Sequence, residues 1–412
     1  MSDIYVLIPG IMGSVLEKDG RDAFGLTASA GLRALFSGGR SIQSLRLEPG
    51  LEGQPDDGVV ASRLAEDAHL IPGFWKIDGY SRVASYLQKR LRAVPGRTFF
   101  ELPYDWRLDN RVAARHLQER VAMWLTAQRA EHPDAKVVLV AHSMGGLVAK
   151  YFLEVLGGWR DTRALVTFGT PYRGSLNALD TLSNGVSKAF GLVDLTDLVR
   201  SFPSIHQLLP IYPCVEVDGM TLRLTELDAP LPGLDPGAVA AARRFHQEIE
   251  DAVRINNTLG EYATARYRTH RVIGTEHPTT ESAALTGSVV TMRRSHVLGT
   301  HGGDGTVPRV SASPLELDDD EGAMFAGTRH SSLQNADAVL TQLKGWMTTA
   351  DLRGFRAGGQ VRLSLDLDDV HPTDAGVAFT VTPSSTPSSG RPTPPTEPAT
   401  SRRRACRRAS TA

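Results

Sequence analysis

Two cysteines in 412 residues, Cys214 and Cys406, are too few to staple a fold. A chain of this length can bury a full core without staples. A disulfide framework is therefore excluded, and a reducing, cytoplasmic setting is the expectation. No apolar run reaches the roughly 18 residues that a membrane-spanning helix needs. The opening run Ile4–Ile8 is too short for a signal-peptide core and has no basic segment before it, so export by that route is not expected. Neither sign of charge is in excess: 45 Lys plus Arg stand against 46 Asp plus Glu. The body thus carries no electrostatic footprint for nucleic acid and none for a cationic partner. Clusters of Cys and His at zinc spacing and a P-loop lysine are also missing, so neither a metal nor a cofactor is expected.

What is present reads as strands alternating with helices. Apolar runs at Ile4–Ile8, Lys136–Val140 and Ala164–Phe168, and a weaker one at Thr98–Leu102, have the character of strands buried on both faces. Helical periodicity runs from Tyr80 to a break near Pro95, over Asn110–Arg129 with Leu117, Val121, Trp124 and Leu125 on one face, and over Gly145–Leu156. Strands are expected again at Arg268–Ile273, near Val289–Met292 and at Ala323–Phe325, followed by a closing helix over Asn335–Met347. This rhythm predicts an α/β fold with a mostly parallel sheet covered on both faces.

The expected organisation is a core over residues 1–350, interrupted at about 175–262 by an inserted helical cap. A small β appendage follows over 351–382, with strands at Gln360–Leu367 and Gly376–Thr382. Residues 383–412 are expected to form a disordered basic tail rich in Pro, Ser and Thr, too poor in apolar residues to offset the entropy of folding. Residues 21–75 are Gly-rich and irregular, apart from a short helix expected near Ala30–Leu35.

The chemistry concentrates at Ala141-His142-Ser143-Met144-Gly145, set between a buried strand and a helix. That is the nucleophile elbow of α/β-hydrolases with Ala in place of the first Gly. The turn is tight enough to require small residues two before and two after the serine, which Ala141 and Gly145 supply. Its geometry lifts the Ser143 hydroxyl above the sheet and aims the Met144 N–H at a developing oxyanion. His142 points away from the nucleophile and reads as a packed or orienting histidine. A serine hydroxyl needs a histidine to take its proton and a carboxylate to orient that histidine, in the chain order Ser, acid, His. Asp304, inside Gly302-Gly303-Asp304-Gly305, suits a tight loop presenting one carboxylate, whereas Asp318, Asp319 and Asp320 form a solvated run of like charge. His330 follows the last expected strand, while His301 precedes the acid and His371 falls in the appendage. The Gly-rich exit from the first strand, Ile8-Pro9-Gly10-Ile11-Met12-Gly13, makes the Ile11 N–H the second expected oxyanion donor.

Four segments together resemble the lecithin:cholesterol acyltransferase family and its lysosomal phospholipase A relatives: Val6–Leu16, Pro103–Leu108 (PYDWRL), Ala141–Gly146 (AHSMGG) and Gly303–Pro308 (GDGTVP), with His330 following. The resemblance implies Ser143, Asp304 and His330 as a triad, an acyl-serine intermediate formed from a glycerolipid, and acyl transfer to an alcohol or to water. The chain lacks the lid cysteines of animal members. The expected partner is a lipid or ester substrate, with peripheral contact to a membrane. A soluble carboxylesterase and a non-catalytic lipid-binding or scaffold module are the rival readings. Two local features stay open. Tyr104-Asp105-Trp106-Arg107 reads as a buried cluster with an ion pair or as a substrate contact. The apolar face from Phe190 to Phe202 reads as a packed cap helix or as an interfacial lid.

Overall fold

The computed structural model describes residues 2–24, 43–48, 57–66, 78–188, 193–296, 299, 301–317, 322–348, 362–366 and 380–384. Its centre is a six-stranded sheet made of β1 (Ile4–Ile8), β2 (Phe99–Glu101), β3 (Val137–His142), β4 (Thr162–Phe168), β5 (Arg268–Gly274) and β6 (Ala323–Ala326). The spatial order is β6-β5-β4-β3-β1-β2, and every pairing is parallel.

Alternate residues of these strands feed two separate cores. Ile4, Val6, Ile8, Val137, Leu139 and Leu165 face α2 (Asn110–Arg129) and α3 (Gly145–Glu154) on one side. Tyr5, Leu7, Val138, Val140, Ala164 and Val166 face α1 (Ser81–Arg90) and α5 (Asp337–Thr348) on the other. A strand with helices on both faces must be apolar at every position, which is why β1 and β3 are continuous hydrophobic runs. The helix α2 begins where the Asp109 side chain accepts the Arg111 N–H, and its inward stripe is Ala113, Ala114, Leu117, Val121, Trp124 and Leu125. Because the sheet is wholly parallel, the segments leaving β1, β3, β4, β5 and β6 all emerge at one edge.

The stretch expected as a helical cap does contain helices, among them Leu176–Asn184, Pro203–His206 and the long α4 (Pro236–Asn256). It also contains strands. Val215–Val217 and Met220–Leu222 form a hairpin turned by Asp218 and Gly219, both at positive φ (49° and 80°). That hairpin joins Ser282–Thr286 and Val289–Arg293 in a separate four-stranded sheet. The strand expected near Val289–Met292 therefore exists, but outside the central sheet. Its burial alternates, as suits an edge strand with one solvated face.

Arg362–Asp366, within the first strand expected there, pairs antiparallel with Thr380–Ser384, which overlaps the end of the second. The tail beyond residue 384, the short helix expected near Ala30–Leu35, His371, Phe190, Leu192 and Asp318–Asp320 lie outside the described residues. No helix of the described residues is long and apolar enough to cross a membrane.

Candidate active site

At the edge where the parallel strands end, β3 passes directly into Ser143, whose φ of 52° is rare for a residue with a side chain. Strain of this kind persists only where the surroundings hold it. Here the Ser143 N–H donates to the Phe168 carbonyl (2.8 Å) and the Ser143 carbonyl accepts from Gly146 (2.9 Å), so the turn is fixed from both sides. The need for small neighbours has a source that the sequence does not display. A Cβ on Gly145 would stand 2.3 Å from the Pro9 carbonyl oxygen, and one on Gly10 would stand 2.8 Å from Ser143 Cβ. The loop leaving β1 presses on the elbow, and glycine on each partner makes room.

Ser143 Oγ lies 2.9 Å from His330 Nε2, and His330 Nδ1 lies 2.7 Å from Asp304 Oδ2. With a carboxylate against Nδ1, the ring proton belongs on that nitrogen, which leaves Nε2 to accept from the serine hydroxyl. The other carboxylate oxygen, Asp304 Oδ1, accepts the N–H groups of Thr306 (2.9 Å) and Val307 (2.7 Å). The His330 N–H donates to the Asp304 carbonyl (2.9 Å), so Asp304 and His330 are tied through main chain as well as side chain. Asp304 is buried, and the His330 side chain keeps 14% of its surface exposed. Two more glycines serve this contact. A Cβ on Gly274 would meet Asp304 Cβ at 2.3 Å, and one on Gly169 would lie 2.8 Å from both partners of the Asp304–His330 bond.

Of the two expected oxyanion donors, Met144 follows the serine in sequence, and Ile11 follows Gly10, which packs against Ser143. Met144 is buried at the N-terminus of α3, and Ile11 lies in the β1 exit loop where Gly13 donates to the Gly10 carbonyl (3.1 Å). Among the described residues, no acceptor takes either N–H. Of the rival groups, the His301 N–H is held by Glu281.

Several residues that build the site carry no signal in the sequence. Glu281, fully buried, accepts the N–H groups of His301 (3.0 Å) and Gly302 (2.7 Å) and so clamps the loop that carries Asp304. Tyr80 Oη accepts the Gly10 N–H (2.8 Å) and touches His142 Nδ1 (2.9 Å), while His142 Nε2 meets the His330 carbonyl (3.0 Å). Burial, with the nearby His330 in second place, pushes the His142 imidazole down to about 3, so it stays neutral. A tyrosine at the head of a helix and a carboxylate just before a strand are ordinary residues until the fold places them.

The Tyr104–Arg107 segment is a buried cluster. Arg107 is fully buried between Asp105 (2.6 Å) and Asp57 (2.9 Å) and also donates to the Leu45 carbonyl (2.9 Å). Tyr104 Oη donates to the Pro9 carbonyl (2.9 Å) and Trp106 Nε1 to the Ser14 carbonyl (3.1 Å), bracketing the β1 exit loop at both ends. Its task is to hold that loop. On the apolar face expected as cap or lid, Leu198 and Phe202 are buried, with Phe202 edge-on to Trp106 at 5.8 Å.

Comparison with known proteins bears on this arrangement. The family model described as Lecithin:cholesterol acyltransferase matches residues 71–231, which include the PYDWRL and AHSMGG segments. Phosphatidylcholine-sterol acyltransferase of Gallus gallus is 28% identical over 144 residues, covering 31% of this chain and 34% of that protein. Lysosomal phospholipase A and acyltransferase of Homo sapiens is 31% identical over 160 residues, covering 34% and 38%. The match thus spans little more than a third of the length of these relatives. Among solved structures, a chain of the Tle4–Tli4 complex superposes with a TM-score of 0.53 at 16% identity, over 84% of this chain and 98% of that one. Over residues 71–231 the chain is thus similar to the lecithin:cholesterol acyltransferase family model, and its fold is similar to that of the Tle4–Tli4 chain.

Proposed function

We propose that the protein is a serine-dependent acyl-ester hydrolase or O-acyltransferase acting on lipids. The observation that carries this reading is the unbroken contact from Ser143 Oγ through His330 to Asp304, at a strained residue where a parallel sheet meets a helix. In this reading Ser143 Oγ attacks the ester carbonyl carbon while its proton passes to His330 Nε2. The tetrahedral oxyanion takes the Ile11 and Met144 N–H groups. Collapse expels the alcohol, which leaves with the proton from His330, and the acyl group stays on Ser143. Water or an alcohol then attacks the acyl-serine, with His330 as base, to give the free acid or a new ester. Asp304 stays ionised throughout and stabilises the imidazolium.

The lipid class rests on the names of the two relatives, both of which point to phospholipid acyl donors. Peripheral contact with a lipid surface belongs to the same proposal, because such donors sit in membranes. So does the cytoplasmic setting, which rests on the two cysteines, of which Cys214 is a buried free thiol.

Labelling with a fluorophosphonate tests the reading: wild type reacts and Ser143→Ala does not. An unreactive wild type would remove the nucleophile. Incubation with a phospholipid and a fatty alcohol or sterol separates transfer from hydrolysis, since a plain carboxylesterase yields free acid and no new ester.

A further inference from the structure

Behind the three side chains runs a second line of hydrogen bonds whose direction the chemistry fixes. The Gly10 N–H can only donate, so Tyr80 Oη accepts it. The His330 carbonyl can only accept, so His142 Nε2 carries the proton and donates to it. Neutral His142 then has Nδ1 as acceptor, and the single Tyr80 hydroxyl proton points at Nδ1. The line therefore reads Gly10 N–H to Tyr80 O–H to His142 to the His330 carbonyl, with one proton arrangement available. Gly10, Tyr80 and His142 are buried, and the Tyr80 and His142 rings pack edge-on at 5.8 Å.

Its two ends matter. Gly10 precedes Ile11, the proposed oxyanion donor, in a loop that presses on Ser143 Cβ. The other end is the main chain of His330, whose N–H is already fixed on the Asp304 carbonyl. His142 thus completes the tethering of the His330 backbone, and its ring lies 5.0 Å from the His330 ring. We infer that Tyr80 and His142 are positioning residues that hold the oxyanion loop and the His330 backbone in one register. The inference rests on the proposed roles of Ser143 and His330, and neither Tyr80 nor His142 touches a reacting atom.

Tyr80→Phe keeps the ring and removes the hydroxyl. It leaves the Gly10 N–H without its acceptor and frees His142 to take the other tautomer, which turns a lone pair toward the His330 carbonyl. The test measures kcat and KM on a short soluble ester, the rate of fluorophosphonate labelling of Ser143, and thermal unfolding, for wild type, Tyr80→Phe, His142→Ala and the double variant. The expected result is a fall of about tenfold in kcat and in labelling rate for Tyr80→Phe, with KM within twofold, as for the loss of one well-aligned hydrogen bond felt at the transition state. The double variant should lose less than the product of the two single losses, because the Tyr80–His142 link is shared and can be broken only once. Labelling of Tyr80→Phe at the wild-type rate would overturn the inference while leaving the triad intact, as would a loss carried in KM or losses that multiply in the double variant. An unreactive wild type would instead sink the triad reading beneath it. If His142→Ala fails to fold, the Tyr80→Phe rates still decide.

Discussion

Gly169→Ala is a one-carbon test of whether the Asp304–His330 contact matters. Gly169 follows β4 with φ at +56°, and its N–H donates to the Val272 carbonyl (2.9 Å), so the backbone is not free to relax. An alanine Cβ there would stand 2.8 Å from Asp304 Oδ2, 2.8 Å from His330 Nδ1 and 2.9 Å from Leu333 Cδ1. Ordinary contact begins near 3.4 Å, so the two polar atoms must each retreat by about 0.6 Å. They are the two ends of a 2.7 Å hydrogen bond, and a wedge beside both stretches or tilts it. Holding alanine in the left-handed region costs about 1–2 kcal/mol of stability. On the proposed function the catalytic cost is larger, because a hydrogen bond to a charged group is worth about 1.5–3 kcal/mol and this one would orient His330 as base. We expect kcat to fall on the order of 10²-fold with KM little changed, short of the roughly 10⁴-fold that follows loss of a triad carboxylate. The assay is ester hydrolysis normalised to the fraction of protein that a fluorophosphonate titrates, with thermal unfolding alongside. If unfolding shifts as expected while normalised kcat stays within threefold of wild type, the reasoning is wrong and Asp304 is not what makes His330 a base.

Three further perturbations probe the frame around the site. Burial pushes His142 down to about 3 and His246 down to about 4, against about 6.5 in an unfolded chain, so below pH 6.5 the unfolded state binds protons that the native state refuses. The stabilisation from keeping these rings neutral is complete above about pH 7 and declines as pH falls; at pH 5 each ring accounts for about 2 kcal/mol of loss, readable by urea unfolding at pH 7.5 and 5, and a flat profile would contradict it. Arg107→Met strands Asp105 and Asp57 around a fully buried position and should cost about 3–5 kcal/mol in urea unfolding; near-neutral behaviour would mean that the carboxylates find other partners. Phe202→Asp places a carboxylate edge-on to Trp106 in a buried position, so it should lower stability and depress activity equally on aggregated lipid and on a soluble ester; a loss confined to aggregated lipid would reinstate the interfacial lid.

The parts of the molecule that sequence made legible are those encoded over a few neighbouring residues. Val137–Val140 announces a strand because a parallel sheet demands apolar side chains on both faces, and Ala141–Gly145 announces an elbow because the turn is tight. The Asp218-Gly219 dipeptide between Val215–Val217 and Met220–Leu222 is likewise a local hairpin signal, but three-residue strands fall below the length at which alternation can be counted. Phe202 shows the limit from another side. Helical spacing marks a residue as apolar-faced without saying whether that face meets a lipid surface or, as here, Trp106.

What stayed hidden is contact between distant segments. Trp106 donates to the Ser14 carbonyl across 92 residues, Tyr80 reaches His142 across 62, and Glu281 holds Gly302 across 21. None of these pairs has a fixed spacing that chemistry would require, so no pattern in the chain exposes them. The glycines are the intermediate case. Gly10, Gly145, Gly169 and Gly274 are plain in the sequence, yet nothing there tells them from glycines that merely turn a loop. In the fold all four lie around one point, where the ends of neighbouring parallel strands bring a hydroxyl, an imidazole and a carboxylate together. Each lacks a side chain because a backbone or side-chain atom of that assembly occupies the space a Cβ would need. The crowding is a consequence of the contacts: the three side chains meet at 2.7–2.9 Å, and three segments cannot approach so closely unless those bordering them give up volume. Glycine beside a strand end is thus as much a mark of this site as the serine itself, though it becomes readable only once the strand order is known.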